Sequence, residues 1–107
     1  MNCSAPDVGT MELFDLFATD AECERWLVPL MRDDIRSAFA MTEPEVASSD
    51  ASNIGTGLRI EGDEIVVNGR KRWTTGALDP RTAFSMVVGV SDPEANRPPE
   101  VDCADSR

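Results

Sequence analysis

The chain changes texture at Asp33-Asp34, and that change limits what it can fold into. Before it, apolar residues recur at three-and-four spacing. Met11 with Phe14, and Leu13 with Leu16 and Phe17, predict a short amphipathic helix over 10–18. Thr19 or Asp20 can cap a second helix, with Glu22 and Glu24 near its positive end. Its apolar stripe is Cys23, Trp26, Leu27, Leu30 and Met31. Pro29 lies inside that run and removes a backbone donor, so a kink is expected there. After Asp34 the pattern becomes one of strands and turns, with strands expected at 36–41, 55–61, 64–67, 70–75 and 83–90. Gly62-Asp63 and Asn68-Gly69 are the hairpin signals between them. The expected class is α+β: short N-terminal helices followed by an antiparallel β-meander, as an open sheet or incomplete barrel. The tail after Ser91 carries no period and is expected as loop or disorder.

At 107 residues there is room for one small domain with a modest core. Twenty Asp and Glu against ten Lys and Arg give a net charge of −10, which repels nucleic acid and anionic lipid. Arg70, Lys71 and Arg72 form the one dense basic patch. The chain has no histidine, which excludes imidazole bases, histidine triads and histidine metal ligands. Cys3, Cys23 and Cys103 are too widely spaced for a zinc site or a disulfide framework and read as reduced thiols of a cytosolic-type compartment. Neither a membrane span nor a signal peptide is expected.

Three segments can carry chemistry, and each has a plainer reading beside it. In Phe39-Ala40-Met41-Thr42-Glu43-Pro44 a strand ends at a threonine, releasing backbone N–H groups that can serve a ligand, or the strand simply stops. Ala47-Ser48-Ser49-Asp50-Ala51-Ser52 offers small residues whose amides can bind phosphate, or it is a solvated capping loop. Arg72-Trp73-Thr74-Thr75-Gly76 can lie against a flat aromatic ring, or it is a packed strand running into a turn. Gly55-Thr56-Gly57 lacks the third glycine of a dinucleotide motif and is discarded. Asp33, Asp34, Glu43 and Asp50 read as solvated charges, since nothing pairs two of them around one bond.

Taken in order, these segments together with Asn68-Gly69-Arg70-Lys71-Arg72-Trp73-Thr74-Thr75 resemble the acyl-CoA dehydrogenase family. Arg25-Trp26-Leu27-Val28-Pro29-Leu30 and Asn2-Cys3-Ser4-Ala5-Pro6-Asp7 resemble segments that precede the motif there. The form Glu43-Pro44-Glu45-Val46-Ala47-Ser48-Ser49-Asp50 is most similar to a subgroup that in animals can be fused to a kinase-like phosphotransferase domain. The resemblance covers about residues 2 to 96. It implies that residues 1–34 are the end of a helical N-terminal domain. Residues 35–96 would then be the first part of a flavin-binding β-barrel, and 97–107 a divergent, disordered tail. It implies FAD as cofactor and an acyl-CoA thioester as substrate, with α,β-dehydrogenation of the kind used in fatty-acid β-oxidation.

By position, Phe39, Met41 and Thr42 would meet the flavin ring, with Thr42 donating to its polar edge and Met41 acting through shape and backbone, as would Glu43. Ser48 and Ser49 would meet the FAD phosphates, Ser49 also the CoA arm. Trp73, Thr74 and Thr75 would flank the ring, Thr75 near its reactive nitrogen. The family's base lies on a C-terminal domain and matches no residue here, so the chain by itself is expected to be inactive. From Pro98 the likeness stops, which reads as a truncated or frame-shifted piece. Family members form homodimers or homotetramers, cytoplasmic in bacteria and mitochondrial in eukaryotes. The alternative is a non-catalytic binding or scaffolding module that reuses half of the barrel.

Overall fold

The computed structural model describes residues 2–47, 50–91 and 100–105. Helix α1 spans Asp7–Phe17, starting three residues before the expected helix. The second helix is built in three parts: α2 (Asp20–Glu22), a π turn (Cys23–Leu27) and α3 (Val28–Met31). Its start is a capping box. The Thr19 N–H donates to Glu22 Oε2 at 2.8 Å and the Glu22 N–H to Thr19 Oγ1 at 3.4 Å, so two orphan donors are satisfied reciprocally. The π turn ends at Leu27, two residues before Pro29, where an α-helical turn would press the ring onto the carbonyl four residues back. The expected kink takes this form.

Strands β1 (Arg36–Ala40), β2 (Gly57–Glu61), β3 (Glu64–Asn68), β4 (Thr82–Gly89) and β5 (Glu100–Asp105) form two sheets, ordered β1-β4-β5 and β2-β3. The class is α+β, as expected, but the strands do not run as one continuous meander: β2–β3 and β4–β5 are antiparallel neighbours in sequence, whereas β1 pairs with β4. Strands β1 and β4 are parallel, with Phe39 opposite Met86 and Ala40 opposite Val87. The reason lies in β4, an almost uninterrupted apolar run buried from Met86 through Gly89. Such a strand belongs at the centre of a sheet, covered on both faces, and here it takes β1 on one side and β5 on the other. Strand β5 also corrects the expectation of an irregular tail, because Glu100–Asp105 pairs antiparallel with β4. Its acidic residues hide a strand period. Residues 92–99 of that tail lie outside the described residues.

The β2–β3 turn is the one Gly62-Asp63 announces. Gly62 has φ +65° while Asp63 does not share the positive φ, which is the II′ pattern. Asn68-Gly69 is not a hairpin, for neither residue has a positive φ, and residues 70–75 form no strand. Only Thr75 pairs, in a single antiparallel bridge to Phe39. Gly69 serves a close approach instead. A Cβ there would fall 2.3 Å from Thr56 Oγ1, so only glycine lets the chain pass over Thr56.

The helices close over the sheet around Leu30, Phe84 and Met86, with Met11, Leu13, Phe14, Trp26, Ile35 and Phe39 packed against them. Phe84 takes Phe14 edge-on at 5.6 Å and Trp26 at 5.1 Å. Leu16 and Phe17, expected on the buried stripe, are exposed. Beside this cluster, the buried Asp7 carboxylate accepts from the Ser37 N–H (2.8 Å), Ser37 Oγ (2.6 Å), Asn2 Nδ2 (2.8 Å) and Arg36 Nη1 (3.0 Å). It bolts the start of α1 to the start of β1.

Phe84→Ala is expected to cost about 4 kcal/mol in urea unfolding, the loss of a fully buried aromatic. Phe17→Ala should change stability by no more than about 0.5 kcal/mol, as for an exposed residue. Equal losses for the two would contradict this core.

Candidate functional site

Beyond Ala40 the chain leaves the sheet and enters Met41-Thr42-Glu43-Pro44. The Glu43 side chain turns inward and is 5% exposed. Its Oε2 accepts the Gly55 N–H at 2.8 Å, and its Oε1 accepts the Thr56 N–H at 2.8 Å and the Thr56 hydroxyl. Lys71 Nζ completes the shell at 2.8 Å from Oε1. Burial pushes this carboxyl up. Hydrogen bonds from Lys71, Thr56 and Gly55 outweigh it and hold the pKa at about 2. At Asp7 burial likewise raises the pKa, and the bonds from Ser37, Asn2 and Arg36 win, so it too lies below the usual carboxylate range.

Glu43, expected as a solvated charge, is instead buried and ligated. The residues that ligate it are 12, 13 and 28 positions away, too far for local pattern to show. One available signal was that Lys71 is the only lysine in the chain. The basic patch is split accordingly. Lys71 is largely covered against Glu43, whereas the Arg70 and Arg72 side chains face solvent. Gly55-Thr56-Gly57, discarded as a dinucleotide motif, uses its first two amides on an internal carboxylate.

The same contacts draw the third segment alongside the first. Lys71 Nζ also donates to the Met41 carbonyl at 2.9 Å, the Arg72 N–H to the Thr42 carbonyl at 2.8 Å, and the Phe39 N–H to the Thr75 carbonyl at 3.3 Å. Residues 39–42 and 71–75 therefore run side by side. Trp73, at φ +55°, is turned out of this pairing and is 80% exposed, with the Arg72 guanidinium 5.9 Å from its ring centre. The hydroxyls of Thr42, Thr74 and Thr75 and the Thr42 N–H have no hydrogen-bond partner among the described residues. Phe39 is half-buried with its side chain in the core cluster, so at this edge it offers backbone. Ser48 and Ser49 lie outside the described residues. Among the described residues no cluster could hold a metal ion, and no helix is long and apolar enough to cross a membrane.

Because the folded pKa of Glu43 is depressed from 4.5 to about 2, its stabilisation is complete above about pH 4.5 and lost as pH falls through 2. Urea unfolding should show stability declining across that window. Glu43→Gln should flatten the slope, leaving the part that Asp7 contributes, and should cost about 3 kcal/mol at pH 7, where Lys71 is left largely covered without its counter-ion. A slope unchanged by Glu43→Gln would contradict the ligation. Gly69→Ala, which drives a methyl into Thr56, should destabilise by about 2 kcal/mol in the same measurement.

A family model described as acyl-CoA dehydrogenase, middle domain, matches residues 38–103. "Acyl-CoA dehydrogenase family member 10" of Mus musculus is 53% identical over 96 residues, 90% of this chain and 9% of the mouse protein. "Probable acyl-CoA dehydrogenase FadE2" of Mycobacterium tuberculosis is 52% identical over 95 residues, 89% of this chain and 23% of that protein. A solved Mycobacterium abscessus structure assigned to the acyl-CoA dehydrogenases superposes with a TM-score of 0.90 at 45% identity, over 96% of this chain and 26% of that one. The chain thus spans about a quarter or less of the length of these relatives. On the middle-domain match and the shared fold, the chain belongs to the acyl-CoA dehydrogenase family.

Proposed function

We propose that these residues form the flavin-facing edge of an FAD-dependent acyl-CoA dehydrogenase. The observation that carries the reading is the pairing of residues 39–42 with 71–75. On these two adjoining segments the Thr42 N–H and the Thr42 and Thr75 hydroxyls have no partner among the described residues, and the Trp73 indole is exposed. A flat heteroaromatic ring with a polar edge fits such a pair of segments. Its acceptor atoms would take the free donors and its face or edge would lie on Trp73. When bound, the flavin supplies the hydride acceptor for α,β-dehydrogenation of an acyl-CoA thioester.

Within this reading Thr42 donates to the ring's polar edge, and Thr75 orients the ring through its hydroxyl. Trp73 excludes water from one side. Ser48 and Ser49 remain proposed for the FAD phosphates, and Ser49 for the CoA arm. Glu43 is committed to Gly55, Thr56 and Lys71. It stays ionised far below neutral pH, so it is a poor candidate for removing the substrate's α-proton. That base is read as belonging to the part of the enzyme outside the 107 residues, and the same holds for the acyl pocket.

The test is a titration of the Trp26→Phe chain, in which Trp73 is the one remaining tryptophan. Saturable quenching of its emission by FAD is expected, with about fivefold weaker affinity in Thr75→Val, the loss of one hydrogen bond. Trp73 emission indifferent to FAD would sink the flavin reading and favour the scaffolding alternative.

A further inference from the structure

Lys71 makes a contact that neutralising Glu43 does not require. Its ammonium lies 2.8 Å from the Glu43 carboxylate and 2.9 Å from the Met41 carbonyl, so it brackets Thr42 from both sides in sequence. The next residue, Arg72, donates its N–H to the Thr42 carbonyl at 2.8 Å. Both peptide groups that flank the Thr42 Cα are therefore held through their carbonyls, one by a cation and one by an amide. The Thr42 N–H belongs to the Met41–Thr42 peptide and has no hydrogen-bond partner among the described residues. A cation on the carbonyl of a peptide draws electrons from that peptide and makes its N–H a stronger donor, more so where water is largely excluded. The Lys71 side chain is 12% exposed.

We propose that Lys71 is a positioning residue for the flavin-facing edge. Held between the Met41 carbonyl and the Glu43 carboxylate, it fixes the Met41–Thr42 peptide and polarises the Thr42 N–H toward an acceptor atom of the ligand. This rests on the flavin reading for the identity of that acceptor, but not for the geometry. Lysine suits the place because three donors on one nitrogen can serve a carbonyl and a carboxylate at once. Glu43 is then the anchor that aims it, tied in turn to the Gly55 and Thr56 amides.

The test has two arms. In the first, the full chain is labelled with nitrogen-15 and measured without ligand as wild type, Lys71→Met and Lys71→Arg. The expected result is an upfield move of the Thr42 amide proton in Lys71→Met and its recovery in Lys71→Arg, whose guanidinium can still reach both oxygens. The Ser37 amide, bonded to Asp7, reports that the fold persists. Should Lys71→Met fail to fold, the double variant Glu43→Gln with Lys71→Gln replaces the buried ion pair by a neutral amide pair and is expected to show the same upfield move. A Thr42 resonance that stays in place in a folded variant, or is not recovered by arginine, overturns the proposal. In the second arm FAD is titrated into each chain, with about fivefold weaker binding expected for Lys71→Met and recovery in Lys71→Arg. Equal FAD affinity in a folded Lys71→Met also overturns it. If the wild-type chain binds no FAD, the flavin reading falls, while the first arm still decides whether Lys71 polarises Thr42.

Discussion

The buried carboxylate of Glu43 is the contact on which the rest of the site depends. Three separate stretches meet at it: the end of β1, the approach to β2, and the extended segment after β3. The first and third have no sheet ladder at that point, and the second is fastened only by a single bridge to Val90. A charge buried this deeply survives only when its lone pairs are filled, and here two amides, a hydroxyl and an ammonium fill them. Remove the carboxylate and the segment from Gly69 to Thr75 keeps only two backbone contacts to β1 and the residues just beyond it, through Arg72 and Thr75.

A second buried carboxylate does the equivalent work at the other end of β1. Asp7 joins α1 to Arg36 and Ser37 and fixes where the strand begins. Arg36 also pairs with Asp33 at 2.7 Å, so the turn between the second helix and β1 is tied into the same network. Strand β1 is thus pinned at both ends by ionised groups, with the apolar cluster around Phe84 between them. Each pin uses several hydrogen bonds on one anion, which lowers its pKa against the push of burial. An acidic chain can keep carboxylates inside in this way without making acid–base groups of them.

Local features were legible in the sequence. The capping box at Thr19 and Glu22, the disturbance before Pro29 and the turn at Gly62 depend on neighbours within a few residues. So does the helix-to-strand switch at Asp33-Asp34. Features that depend on distant partners were not. Asn68-Gly69 has the local chemistry of a hairpin, yet Thr56 on the neighbouring segment sets its conformation. Strand β4 reads correctly as a strand, but periodicity does not say that its partner is parallel. Glu43 looked like any exposed acid because its ligands come from two other stretches. The ordered motifs themselves pointed to the family, and the segments 39–42 and 71–75 that they single out run side by side, with Phe39 packed against the core.

The central claim is that residues 39–42 and 73–75 act as one flavin-facing rim. The most direct measurement is a map of amide chemical-shift changes as FAD is added to the nitrogen-15-labelled chain. The expected result is saturable change concentrated at Thr42 and at residues 73–75, with the Ser37 and Thr56 amides, already engaged by Asp7 and Glu43, changing little. Changes scattered over the surface, or centred on Gly55 and Thr56 with Thr42 and Trp73 silent, would contradict it.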